Sequence, residues 1–316
     1  MATIKNRLLF FTTSPRKPSK MIPEIKLLND SFEDEIWNVS TQRKFMDKLS
    51  KSDFFEGKGS SSNKDFSARD RITRAPKSLG FVDLKPVIKL TEAGNALVYG
   101  NRPKEIFLRQ LLKFQLPSPY HVEHKSIQDT FYIKPYLEIL RLIRELEYIS
   151  FDEFKIFAVQ MTDYRKLDKI KNKILQFRDD KKNNIGRYKQ FVGITWENAI
   201  LEIYEDRIVK GQTKTRETQD ASLQKFIKTQ KGNMRDYADA CFRYLRYTEL
   251  VAISQKNRSI SIFKDKLIEV DYILKNIERN PVFVNDLKRY KEYLFSSSNP
   301  VLYTDNKDNL IDILMR

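Results

Sequence analysis

The chain has 316 residues, of which 58 are Lys or Arg and 42 are Asp or Glu, leaving a formal net charge of +16. Hydrophobic residues make up 41% and aromatics 12%, enough to pack cores; this excludes a disordered polycation, and the length accommodates one to three domains. The positive excess is more than solubility requires and calls for an anionic partner.

Met1 to Phe11 has too short an apolar core for a secretory signal and no small-residue cleavage site. No run of eighteen apolar residues follows, so a soluble cytoplasmic protein is expected. Ser14 to Pro18 is a basic turn, and Glu24 to Asn29 reads as a short helix. After Thr41 a helical run places Phe45, Met46 and Leu49 on one face, and Gly57 to Ser62 is a Gly, Ser and Lys connector. The next helix spans Phe66 to Leu79, with Ser67 as N-cap and Asp70 completing an approximate capping box; Pro76 shortens or kinks it. Gly80 redirects the chain into two short strands, Phe81-Val82 and Val87 to Leu90, and Thr91 caps a helix beginning at Glu92. Helix, helix, basic helix, two-stranded wing is the order of a winged helix-turn-helix.

Arg102 to Leu116 is an amphipathic helix with Ile106, Leu111 and Phe114 as core candidates, ended by Pro117 and Pro119. Tyr120 to Thr130 reads as loop. Pro135 to Leu146 carries the stripe Leu137, Leu140, Ile143 and Leu146, and Ser150 caps a helix from Phe151 to Met161. Tyr164 to Phe177 is helical, whereas Arg178 to Lys189 is too polar and basic for a core. Between Tyr164 and Arg235 there are 18 Lys and Arg against 9 Asp and Glu, so this segment alone contributes +9. Asn233 to Tyr247 forms a helix with Tyr237, Ala240, Cys241 and Leu245 on one side. Leu250 to Ser254 and Ser259 to Phe263 make a second wing, and Lys264 to Ile277 a closing helix. The expected fold is mainly α with small β-wings, in two tandem winged helix-turn-helix subdomains. They comprise residues 1–116 and, with a basic insertion, 117–278; residues 279–316 begin a linker.

The chemistry narrows the partner. Cys241 is the only cysteine, a small core residue with no histidine near it in sequence, and His121 and His124 stand in a Pro-flanked loop, so no metal site is expected. Membrane binding would need a basic amphipathic helix or a polybasic tail beside an anchor, and these charges are spread through globular sequence. Nucleic acid fits better. In Phe66 to Val82, Arg69, Arg71 and Arg74 lie before a wing, where an arginine fork takes a guanine edge or a phosphate; the alternative is a solvated face tied in surface pairs. In Asn233 to Thr248, Arg235 and Arg243 are candidate DNA contacts, while Tyr237 and Phe242 are assigned to packing. Lys210 to Lys231 reads as a polar arm that orders on phosphates or as an uninvolved surface loop. Lys17, Lys77, Lys214 and Arg216 are the phosphate-binding candidates.

A nuclease centre of the metal-dependent kind needs convergent carboxylates and a lysine beside a bound Mg²⁺. No proline is followed by Asp, and the acid-x-Lys tripeptides beginning at Glu24, Glu153 and Asp286 fall in helical patterns. The nine glycines are scattered, with no phosphate-loop run.

Several blocks in order carry a family likeness. They are Thr13-Ser-Pro-Arg with Pro23-Glu-Ile-Lys, Phe66-Ser-Ala-Arg-Asp-Arg with Gly80-Phe-Val, and Leu90-Thr-Glu-Ala-Gly with Asn101-Arg-Pro-Lys-Glu-Ile-Phe-Leu-Arg-Gln-Leu. The last is Arg235-Asp-Tyr-Ala-Asp-Ala with Arg243-Tyr-Leu-Arg-Tyr-Thr. In these the chain resembles the N-terminal recognition region of the AlwI family of type II restriction endonucleases and related nicking endonucleases. The resemblance implies a type IIS enzyme that binds a short asymmetric duplex site and cuts a few base pairs away with a separate C-terminal Mg²⁺ nuclease domain. It also implies no cofactor and no catalytic residue in these 316 residues, an apparent monomer on double-stranded DNA, and a place for a separate catalytic subunit. A self-contained Mg²⁺-dependent endonuclease with an atypical site and a winged-helix transcriptional regulator stand as the alternatives.

Overall fold

The computed structural model describes residues 2–55, 63–127, 129–215, 221–256 and 258–315. The chain begins with a short strand, β1 (Ala2–Ile4), and a basic turn that leads into α1 (Met21–Phe32). On α1, Met21, Ile25, Leu28 and Phe32 recur at helical spacing and are all buried. In α2 (Val39–Leu49) the cap is Asn38 rather than Thr41: its side chain accepts from the Thr41 N–H at 3.0 Å.

The expected helix from Phe66 to Leu79 is broken in two. Asn63 caps α3 (Lys64–Ala68) by accepting the Phe66 N–H at 3.0 Å, so Ser67 lies inside the helix and is not its cap. Arg69–Thr73 then widen into a π-turn, and at Arg74 the backbone leaves helical geometry (φ −77°, ψ −95°) before α4 (Ala75–Ser78). Pro76 accounts for the break: it has no N–H to donate and its ring excludes the carbonyl four residues back. β2 (Val82–Asp83) and β3 (Lys89–Leu90) pair antiparallel, as expected of the first hairpin. Thr91 caps α5 (Glu92–Tyr99) with a 2.9 Å bond from Gly94 N–H, while its own hydroxyl donates to the Gly80 carbonyl at 2.6 Å.

α6 (Pro103–Lys113) follows, and Leu111 and Phe114 are buried. The stretch after it is not wholly loop. Residues of β4 (His121–Glu123) pair in parallel with β1, a contact between the two ends of 120 residues that no local pattern announces. α7 (Pro135–Leu146) buries all four residues of the expected stripe. β5 (Tyr148–Ser150) leads into α8 (Phe151–Ile156), where Ser150 and Glu153 form a full capping box.

α9 (Leu167–Asn183) extends into the segment read as too polar. Arg178 lies against the protein there, donating to buried Glu153 at 2.8 Å and stacking 4.1 Å above the Tyr148 ring. α10 (Tyr188–Val209) is a helix that sequence reading missed, and α11 (Leu223–Tyr247) begins ten residues earlier than expected. Lys210 to Lys231 is therefore not one polar arm: Thr213 is buried, with its hydroxyl on the Ala221 carbonyl, and the part from Leu223 is helical. β6 (Val251–Ser254) and β7 (Ser259–Ile262) form the expected second hairpin, and β5 joins it in the order β5-β7-β6. α12 (Leu267–Asn276), α13 (Leu287–Phe295) and α14 (Lys307–Met315) complete the chain.

The protein is mainly helical, with a few small strands. Most buried residues from Ile4 to Leu302 form one contiguous cluster, with Tyr120, Tyr290 and Leu294 in a smaller second one, and Phe107 of α6 meets Tyr244 and Tyr247 of α11 at 5.7 and 4.9 Å between ring centroids. Residues 282–305, within the part expected to begin a linker, pack against α6 and the turn after it. Arg109, Gln110, Lys113 and Gln115 are buried and hold their backbone: Gln110 donates to the Leu294 carbonyl at 2.6 Å, Lys113 to Ser296 at 2.6 Å and Gln115 to Val282 at 2.6 Å. Gly80, at φ +78°, is obligatory there, since a Cβ would meet the Leu294 side chain at 2.5 Å and its carbonyl at 2.8 Å.

Candidate nucleic-acid interface

The broken basic helix and α11 converge. A groove of about 500 Å³ runs between them, lined by Thr73 and Arg74 on one side, Asn233, Asp236 and Tyr237 on the other, and Lys5 and Asn6 just after the N-terminal strand. Asn6 joins α11 to α10: its side-chain N–H donates to Tyr237 at 3.1 Å, and its oxygen accepts from the Tyr204 hydroxyl at 3.1 Å. His121 lies in the floor of this groove, and burial pushes its pKa down to about 4, so it is neutral near pH 7.

The arginines expected to touch DNA divide by environment. Arg69 is exposed, 3.2 Å from Asp65; Arg74 is exposed and 2.6 Å from Asp70. Arg235 is the most open, with 62% of its side chain accessible and Asp236 at 3.5 Å. Surface pairs of this kind are weak and readily exchanged for an external anion. Arg71 and Arg243 point inward instead. Arg71 pairs with buried Glu24 and lies 5.2 Å over the Phe55 ring, while Arg243 bonds to Asp239 at 3.0 Å and to the Arg16 carbonyl.

Lys77 is half-buried, 5.0 Å above the Tyr120 ring, and its pKa is lowered, first by burial and then by the nearby Lys85 charge. Lys17 is exposed beside Arg16, and Lys214 is exposed with its carbonyl held by Arg207 at 3.3 Å. Arg216 lies outside the described residues. The structure thus brings Arg74 to one groove with Asn233, Asp236 and Tyr237 of α11, while Arg235 lies on the opposite side of that helix and neither Lys17 nor Lys214 lines the groove.

Cys241 is buried, and burial raises its thiol pKa, as suits a core residue. The three acid-x-Lys carboxylates do not converge. Glu24 holds Arg71, Glu153 completes the α8 cap and pairs with Arg178, and Asp286 caps α13. Among the described residues no group of three or more Asp, Glu, His or Cys is placed to hold a metal. No helix among them is long and apolar enough to cross a membrane.

Sequence reading missed a second groove, of about 790 Å³, between α8, α10 and α11. It is lined by Lys155, Trp196, Lys228, Lys231, Gly232 and Arg235, with Leu223 and Ile227 as apolar wall. Its signal was present in the one-turn spacing of Lys228, Gly232 and Arg235, but only for a reader who starts the helix at Leu223.

A family model described as AlwI restriction endonuclease matches residues 77–316. No curated protein matches the chain. Among solved structures, the chain is similar to the BpuJ1 endonuclease binding domain, crystallised in complex with pyrene- and phenanthrene-modified DNA. The TM-score is 0.54 at 14% identity, over 94% of this chain and 98% of that one, which is a likeness of fold. With three quarters of its length matched by the family model, and with a fold like that of an endonuclease binding domain, the chain belongs to the AlwI restriction endonuclease family.

Proposed function

We propose that this chain recognises a short, asymmetric site in double-stranded DNA as the specificity part of a type IIS restriction or nicking endonuclease. In this reading it binds as a monomer, and Mg²⁺-dependent hydrolysis belongs to a domain or a separate catalytic subunit outside these residues. The observation that carries the proposal is the convergence of two basic helices on one groove, each helix followed directly by a two-stranded hairpin.

The element order supports two winged-helix subdomains. In the first, α1, α2 and the broken helix precede β2 and β3; in the second, α7, β5, α8 and α11 precede β6 and β7, with α9 and α10 inserted. In each, the helix before the hairpin is the one that such folds lay in the major groove. Arg69 and Arg74 are then the base readers, Arg235 meets the backbone from the other side of α11, and Lys17, Lys214 and Arg216 hold phosphates. Arg71, Lys77 and Arg243 keep the helices in place.

Fluorescence anisotropy on a selected site and on random duplex tests these roles. Arg69→Ala and Arg74→Ala each cost about 1–3 kcal/mol on the selected site and relax preference at one base pair, whereas Arg235→Ala weakens selected and random duplex alike. Arg71→Ala and Arg243→Ala lower the urea midpoint instead. Equal losses on selected and random DNA for Arg69 and Arg74 would remove the base-reading assignment.

A further inference from the structure

Along α11 the residues facing the two grooves fall on opposite sides of the helix: Asn233, Asp236 and Tyr237 toward the first, Lys228, Lys231 and Arg235 toward the second. Four cations line the second groove, and three of them are paired: Lys155 with Asp152, Lys231 with Glu197 and Arg235 with Asp236. Lys155 and Lys231 approach the Trp196 ring at 4.3 and 5.6 Å, and Glu197, 2.6 Å from Lys231, is the one acid among the lining residues. Lys228 stands exposed at the rim and, among the described residues, pairs with no acid.

Gly232 sits between these cations in the middle of a 25-residue helix. Nothing lies within 4 Å of where its Cβ would be, so packing does not demand a glycine, and helix propensity disfavours one. What the missing side chain leaves is room for an external backbone to come close to the helix surface. Gly193 on the facing helix α10, one turn before Trp196, is open in the same way.

We infer that this groove binds the sugar-phosphate backbone of duplex DNA flanking the recognised site, with Lys228 on a phosphate, Lys155 and Lys231 supplying the field, and Gly232 admitting the strand. The inference rests on the DNA-recognition reading above and adds to it a contact that is independent of base sequence. Positive charge complementary to phosphate and a glycine-lined surface favour a backbone over a peptide or an apolar ligand.

The test uses the full chain with duplexes that carry the selected site and either short or extended flanks, titrated across a range of salt. Extended flanks bind more tightly to the wild type. Lys228→Gln loses about five-fold in affinity near 0.15 M salt, lowers the salt slope by about one ion and leaves base preference intact. Gly232→Ala raises the thermal midpoint while weakening binding to extended duplexes several-fold. If the wild type prefers its site over random DNA yet both variants bind every duplex as it does, the groove assignment falls and the recognition reading stands. If the wild type shows no site preference, both fall.

Discussion

His121 is buried between the rings of Phe10 and Phe114, each centroid 5.7 Å away, with Ser118 Oγ 3.2 Å from Nδ1. Burial, helped by the Lys77 charge, pushes its pKa down from 6.5 to about 4. The unfolded chain therefore binds a proton that the folded chain refuses, and stability is lost as pH falls from about 6.5 to 4, on the order of 3 kcal/mol in all. Urea midpoints at pH 7 and pH 5 should show this loss in the wild type and not in His121→Phe; equal slopes in both would contradict it. The arginines show the limit of reading single residues from sequence. Arg71 and Arg74 share one basic run, yet Arg71 faces buried Glu24 and Arg74 faces a groove, because a π-turn and the break before Pro76 change the residue count per turn. A side chain's direction depends on that geometry, which no spacing rule supplied.

α6 presents a buried polar face that fastens the last forty residues. Gln110 donates at 2.6 Å to both Leu79 and Leu294 carbonyls, joining the chain just before the first hairpin to α13. Gln110→Leu leaves the Leu79 carbonyl without this donor and the Leu294 carbonyl with Lys113 alone, at 3.1 Å, and costs about 1–3 kcal/mol. Hydrogen exchange should then quicken in α13 before it does in α7; protection unchanged in α13 would show that the segment is held by other contacts. Elements written in local chemistry were legible: both hairpins and the Thr91 and Ser150 caps. Those that depend on distant partners were not. β1 and β4 pair across the molecule, and the first turns of α11 bury only Phe226, Gln230 and Met234, too sparse a stripe to stand out in a basic segment. α10 hides for a related reason: its buried residues Val192, Ala199, Ile200 and Tyr204 are helically spaced but few over 22 residues, and the backbone kinks at Tyr204.

For the whole molecule, charge pointed to a polyanion, and the residue blocks pointed to a family that the comparison bears out. The basic excess between Tyr164 and Arg235 falls on α9, the first half of α11 and the connecting segments, whereas α10 is net acidic, so positive charge is concentrated on the proposed recognition helix and α9. Two different helices meeting at one groove give the interface no internal symmetry, which is why an asymmetric site is the expected target. Selection of bound fragments from a random duplex pool by the purified chain measures this most directly. A short asymmetric consensus, with information at positions lost on Arg69→Ala and Arg74→Ala, is the predicted result. A palindromic consensus, or no enrichment at salt concentrations where the chain still binds, would contradict it.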